Sequence, residues 1–145
     1  MSSAASRDID VRGPRFAAGV TAVVLAVALL LGSGALVAVQ AVVFAVGAFA
    51  GLPYSPYGVL FRVLVAPRLG PPHEREAEPP LRFAQLVGFV FAVVGATGYL
   101  RGLPLLGAIA TGAALVAALL NAATGFCLGC ELHLIVRRAR PARTA

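Results

Sequence analysis

The sequence predicts an all-α membrane protein, a bundle of four transmembrane helices made of two helical hairpins. Three observations carry that expectation. The apolar residues fall in long charge-free runs, turn-forming residues stand where the runs break, and the arginines gather on one side of them. The 145 residues are 59% hydrophobic and 12% charged, with mean hydropathy +0.89. A soluble domain carries about 25% charged residues, and one of this size leaves too much of its surface in water to hide so apolar a composition.

The runs cover residues 16–31, 35–51, 83–100 and 103–123. Each reaches the lower or middle part of the roughly 17–25 residues that cross a bilayer core as helix. Gly32-Ser33-Gly34 divides the first pair and Arg101-Gly102 the second. A single helix through the first pair would be roughly 54 Å long, against a core of about 30 Å, so a hairpin is expected there. Unpaired backbone groups are costly in lipid, and the alternation a barrel needs is missing, so all four runs read as helix. One domain accounts for residues 1–145, with a loop at 52–82 and a C-terminal segment at 127–145.

The chain has no lysine, so its twelve arginines set the orientation. Arg7, Arg12 and Arg15 precede the first run. Arg62, Arg68, Arg75 and Arg82 lie between the second and third, and Arg137, Arg138, Arg140 and Arg143 follow the fourth. Only Arg101 falls on the other side. The positive-inside rule then puts both termini and the middle loop in the cytoplasm, for a multi-pass protein of the cytoplasmic (inner) membrane. The same asymmetry explains a pI of about 10.7 without nucleic acid. The arginines are spread over three segments with no interleaved stacking aromatics, so the lipid bilayer is the expected partner for them. The N-terminal stretch carries Asp8 and Asp10 and has no cleavage pattern, unlike a signal peptide. Tyr54, Tyr57 and Tyr99 fall at helix ends, where aromatic rings suit the headgroup boundary.

A weak repeat runs through the chain. Arg15-Phe16-Ala17 opens the first hairpin and Arg82-Phe83-Ala84 the second, and an amphipathic stretch follows each, at 57–65 and 130–138. A duplication and a chance likeness of two apolar hairpins both account for it. The proline-rich stretch 66–80 reads as an extended connector. Its Glu74, Glu76 and Glu78 beside His73 and Arg75 read as a solvated, self-neutralising loop, with metal binding the lesser reading. Within the runs Gln40, Gln85, Asn121 and Thr124 are the polar exceptions, suited to hydrogen bonds between helices. No ionisable residue lies inside a run, which argues against a proton-coupled transporter. Gly47 with Gly51, and Gly107 with Thr111, mark close helix packing.

The chemistry rests on Cys127-Leu128-Gly129-Cys130, which holds the only two cysteines. Three residues apart on a helix, they share one face. At a helix start, the macrodipole and unpaired N–H groups would lower the pKa of the first thiol, and the thiolate is the nucleophile. The expected site is Cys127 as attacking thiol, Cys130 as resolving thiol and His133 as proton carrier. A persulfide on the same thiol is the related chemistry. Two other readings stand beside it. The cysteines pack as small hydrophobes in a non-enzymatic subunit or scaffold, or Cys127, Cys130 and His133 bind metal as CxxCxxH, which lacks a secure fourth ligand. The expected assignment has no metal and no cofactor, and leaves open whether the protein is an enzyme.

Several stretches together resemble a known family: Arg-Phe at the first helix, Tyr54-Ser55-Pro56-Tyr57-Gly58, the 66–85 segment, and Thr124-Gly125-Phe126-Cys127-Leu128-Gly129-Cys130-Glu131. They are similar to the bacterial membrane proteins of the domain of unknown function 4395 family, over roughly residues 9–137. The resemblance implies four membrane helices with a cysteine pair after the last, and no established activity. It also implies company with thioredoxin-like and rhodanese-like proteins, and so a soluble thiol or sulfur-transfer partner.

Overall fold

The turn residues that divide each pair of apolar runs are helix boundaries in the computed structural model, which describes residues 8–71 and 75–140. Residues 1–7, 72–74 and 141–145 lie outside the described part, and with them Arg7, His73, Glu74 and Arg143, as does the Glu76 side chain.

A short strand β1 (Asp8–Asp10) leads into α1 (Arg12–Leu31), and α2 (Gly34–Ala45) follows, continued by a π turn over Val46–Ala50. Gly32 ends α1 at φ +61°, the left-handed conformation glycine adopts without steric cost, and its N–H meets the carbonyls of Ala28 and Leu29. Ser33 then opens α2, its hydroxyl accepting the N–H of Leu36 at 3.2 Å. The first hairpin is therefore closed by one capping residue for each helix. The second joins α5 (Glu78–Leu100) to α6 (Pro104–Thr124) through Gly102 at φ +79°, with proline at the first position of α6.

Between the hairpins lie a turn of 3-10 helix at Leu52–Tyr54, the short α3 (Pro56–Leu60), a π turn at Phe61–Val65, α4 (Ala66–Leu69) and β2 (Arg75–Ala77). The described part of the loop expected over 52–82 is thus largely helical, with β2 as its one extended element. α5 begins at Glu78, five residues earlier than the apolar run. Pro79 and Pro80 sit in its first turn, where backbone N–H groups have no helical partner to lose. β2 pairs antiparallel with β1, Asp8 opposite Ala77 and Asp10 opposite Arg75. Asp10 holds Arg12 at 2.8 Å, and Arg12 also donates to the carbonyls of Leu69 and Gly70. The Arg12 hydrogen bond keeps the Asp10 carboxyl below its ordinary pKa.

α1 packs mainly on α6, and α2 mainly on α5. Alanine is the commonest residue of the interior, with Ala28 and Ala92 fully buried beside Leu25, Val37 and the Phe44 and Phe61 rings, while Leu30 is 86% exposed and Leu105 73%. Small residues inside and large aliphatic ones outside is the reverse of a soluble bundle and the arrangement by which helices pack in lipid. Three helices, α1, α5 and α6, are long and apolar enough to cross a membrane; Gly34–Ala50 is a shorter apolar helix of 17 residues at most.

The small-residue pairs read from the sequence lie inside this packing. An added Cβ at Gly47 would come within 2.7 Å of Gln85 Oε1, and one at Gly107 within 2.7 Å of the Tyr99 ring. Gln40 is fully buried, accepts the Tyr57 hydroxyl at 2.7 Å and donates to Thr21 at 3.5 Å, an interhelical bond of the kind expected. Burial raises the Tyr57 phenol above its ordinary pKa. Glu78 corrects the reading of a solvated acidic loop. It is buried, 6% exposed, and accepts the Leu52 N–H at 3.0 Å, so it is committed to joining the loop to the start of α5.

Candidate thiol site at the basic end of the bundle

The segment after α6 is assembled residue by residue. The Thr124 hydroxyl donates back to the Leu120 carbonyl at 2.6 Å and accepts the Phe126 N–H at 3.2 Å. Gly125 turns the chain at φ +78°, its N–H bonded to Asn121 O. Cys127 then leaves the helical region, at φ −103° and ψ 107°, as the N-cap of α7 (Leu128–Ala139). Its Sγ accepts the Cys130 N–H at 3.2 Å. Cys127 and Cys130 form a close pair.

Gly129 fixes α7 against α5. An added Cβ there would fall 2.5 Å from both Cα and Cβ of Ala84. One turn further on, the His133 ring packs against Phe83, with centroids 5.4 Å apart. The expected site residues are therefore on one helix start, with Cys127 and Cys130 together and His133 held by an aromatic ring. Among the described residues no group of three His, Cys, Asp or Glu side chains is arranged to hold a metal ion, so CxxCxxH is not gathered into a ligand set.

Two arginines frame the site in a way the sequence reading did not foresee. Arg15, at the start of α1, donates to the carbonyls of Ala122 and Ala123 at the end of α6, at 3.3 and 3.4 Å. Arg82, near the start of α5, donates to Ala48 O at 2.8 Å and Phe49 O at 3.1 Å, at the end of the second helix. Each hairpin's opening arginine thus caps the closing helix of the other, satisfying orphan carbonyls and placing a cation at the negative helix end. The Phe61 ring against Phe16 (5.8 Å) and His133 against Phe83 repeat the same relation, one interfacial segment on each hairpin. The Arg-Phe-Ala repeat was the available signal. It marked helix starts but not the helix each arginine would reach.

A cavity of about 780 Å³ was also missed. It opens between α1, α5 and α6 and the segments that cover their basic end, and Cys127 is among its lining residues. No local motif encodes it, because its walls come from segments far apart in sequence.

Fold and site together define a small all-α protein with three helices able to cross a membrane and a cysteine pair opening a terminal amphipathic helix. The chain belongs to the family described as Domain of unknown function (DUF4395), whose model matches residues 9–138. The family expected from the motifs is therefore the one found. No curated protein and no solved structure matches the chain.

Proposed function

We propose that this is a four-helix protein of the cytoplasmic membrane, its basic end in the cytoplasm, which exchanges thiols and disulfides with a soluble thioredoxin-like or rhodanese-like partner. The observation that carries the reading is the position of Cys127 as N-cap, with its sulfur accepting the Cys130 N–H. An accepted N–H bond and the positive end of α7 both favour thiolate over thiol. The Cys127 thiolate attacks one sulfur of a partner disulfide, forming a mixed disulfide and releasing the partner's other sulfur as thiolate. Cys130 then attacks Cys127, the intramolecular disulfide forms, and the partner leaves with both electrons. With a persulfide partner, attack on the outer sulfur leaves Cys127 carrying the sulfane sulfur and frees the partner thiolate. In this reading His133, three residues on from Cys130, takes the Cys130 proton.

A second reading has an observation of its own. The Cys127 sulfur fills the role a serine hydroxyl fills at other helix starts, as in a non-enzymatic membrane subunit or scaffold whose cysteines are structural.

Non-reducing gels separate the two. Cys130→Ser is expected to accumulate a mixed disulfide through Cys127 with a cytoplasmic protein, and Cys127→Ser to accumulate little. If both variants show no adduct and alkylate alike, the cysteines are structural. The orientation has its own test. A reporter active only outside the cytoplasm should be silent when fused after Ala145 and active when inserted at Ser33. Activity at the C-terminal fusion would overturn the both-ends-in arrangement.

A further inference from the structure

The large cavity opens at the basic end of the bundle. Its volume of about 780 Å³ lies inside the roughly 300–1,000 Å³ range of sites that enclose small ligands. Along α6 it runs from Ala113 to Asn121, nine residues spanning about 12 Å of helix. The inner wall is mostly apolar and built of short side chains, including Ala17, Ala114, Ala117 and Gly88, with the Phe44 and Phe91 rings; Thr21, Gln85 and Asn121 are its polar members. Short side chains on three helices leave a gap that the described residues do not fill.

The rim has the opposite character. Its charged residues, among those described, are Asp10, Arg12, Arg62 and Arg75. Asp10 is neutralised by Arg12 at 2.8 Å, so among the described residues Arg62 and Arg75 give the mouth an excess of two positive charges. Arg62 is held in place by the Pro53 carbonyl at 2.6 Å, and Arg75 is exposed on β2. A deep apolar chamber under a cationic rim matches a molecule with one apolar chain and one anionic head. The chain would displace water from the alanine-lined wall, which is favourable burial, and the head would meet guanidinium groups that pair with carboxylate or phosphate oxygens.

We propose that this cavity binds a single-chain anionic amphiphile, its acyl chain between α1, α5 and α6 and its head at Arg62 and Arg75.

The test uses the full chain in phosphatidylcholine nanodiscs with a palmitate analogue that carries a photoreactive diazirine near its tail. After irradiation, label should concentrate on peptides containing Ala114–Ala118 and Gly88–Phe91. Excess palmitate or lysophosphatidic acid should compete, and 1-hexadecanol, with the same chain and no charge, should compete at least tenfold less well. The relative strength of the two acids separates a carboxylate source from a phosphate source. Ala117→Phe fills the chamber and should abolish cavity labelling while leaving labelling of lipid-facing peptides unchanged. Arg62→Gln with Arg75→Gln should reduce the preference for acid over alcohol toward unity. Label spread over the outer faces as for bulk lipid, equal competition by hexadecanol, or labelling indifferent to Ala117→Phe would each overturn the proposal.

Discussion

Gly98→Val is expected to unfold the second hairpin, while Gly112→Ala leaves the protein as stable as before or slightly more so. The two glycines are on neighbouring helices of similar hydropathy, and neither has a positive φ. They differ in what a new methyl group would meet. At Gly98 an added Cβ lies 2.6 Å from the Gly107 nitrogen, 2.9 Å from its Cα and 3.2 Å from the Leu103 carbonyl oxygen. All three are backbone atoms, which cannot turn aside as a side chain can. At Gly112 no atom lies within 4 Å. Forcing extra carbon into a packed interface costs about 1–3 kcal/mol where side chains can adjust, and the upper part of that range or more is expected where only backbone is available. The Leu103 N–H to Gly98 carbonyl bond at 2.7 Å, which closes the hairpin, would be strained by the same separation. Gly112→Ala removes a glycine from a helix interior, a gain of up to about 1 kcal/mol. Thermal unfolding in detergent measures both. Equal melting temperatures for the two variants would mean that α5 and α6 do not cross at Gly98 and Gly107.

The parts of the fold legible in the sequence are those set by local chemistry. Gly32 and Ser33 announced a hairpin because a left-handed cap and a serine N-cap are properties of single residues. The apolar runs gave the helices because period and length are visible without partners. Gly47 and Gly107 announced close packing, though not that Gln85 and Tyr99 are what they meet. Legibility ended where a residue's meaning depends on a distant one. Glu78 reads as a loop carboxylate beside Arg75, and becomes buried only because Leu52, 26 residues away, presents an unpaired N–H. Arg15 and Arg82 read as the residues that open each hairpin, but their partners are carbonyls on helices that only the assembled bundle brings near. Pro79 and Pro80 read as helix breakers, whereas proline's cost falls away in the first turn. The cysteine pair was found by spacing, and the structure puts Cys127 at the helix start expected for it. The cavity beside it left no local mark.

Gly129→Val should separate the thiol site from the bundle that carries it. α7 has twelve residues, none of them buried, and an isolated helix shorter than about 12–15 residues is marginal in water. Its order therefore depends on docking, and the docking contact is close. Gly129 meets Ala84, where an added Cβ would lie 2.5 Å from backbone and Cβ alike. A valine there lifts α7 from α5, takes His133 off the Phe83 ring and breaks the geometry in which the Cys127 sulfur receives the Cys130 N–H. In the parent protein Cys127 is expected to react with iodoacetamide before Cys130 at pH 7, because the thiolate is the reacting form and the helix start favours it. In Gly129→Val the two rates should converge on that of a denatured control. The mixed disulfide expected in Cys130→Ser should disappear when Gly129→Val is added. The melting temperature of the helical bundle should move little, because Arg15 still caps α6 and Arg82 still caps the second helix. Peptide-resolved alkylation with mass spectrometry reads both cysteines in one experiment. A Gly129→Val protein that still alkylates Cys127 first, at the parent rate, would show that the reactivity of this thiol owes nothing to the α7 start.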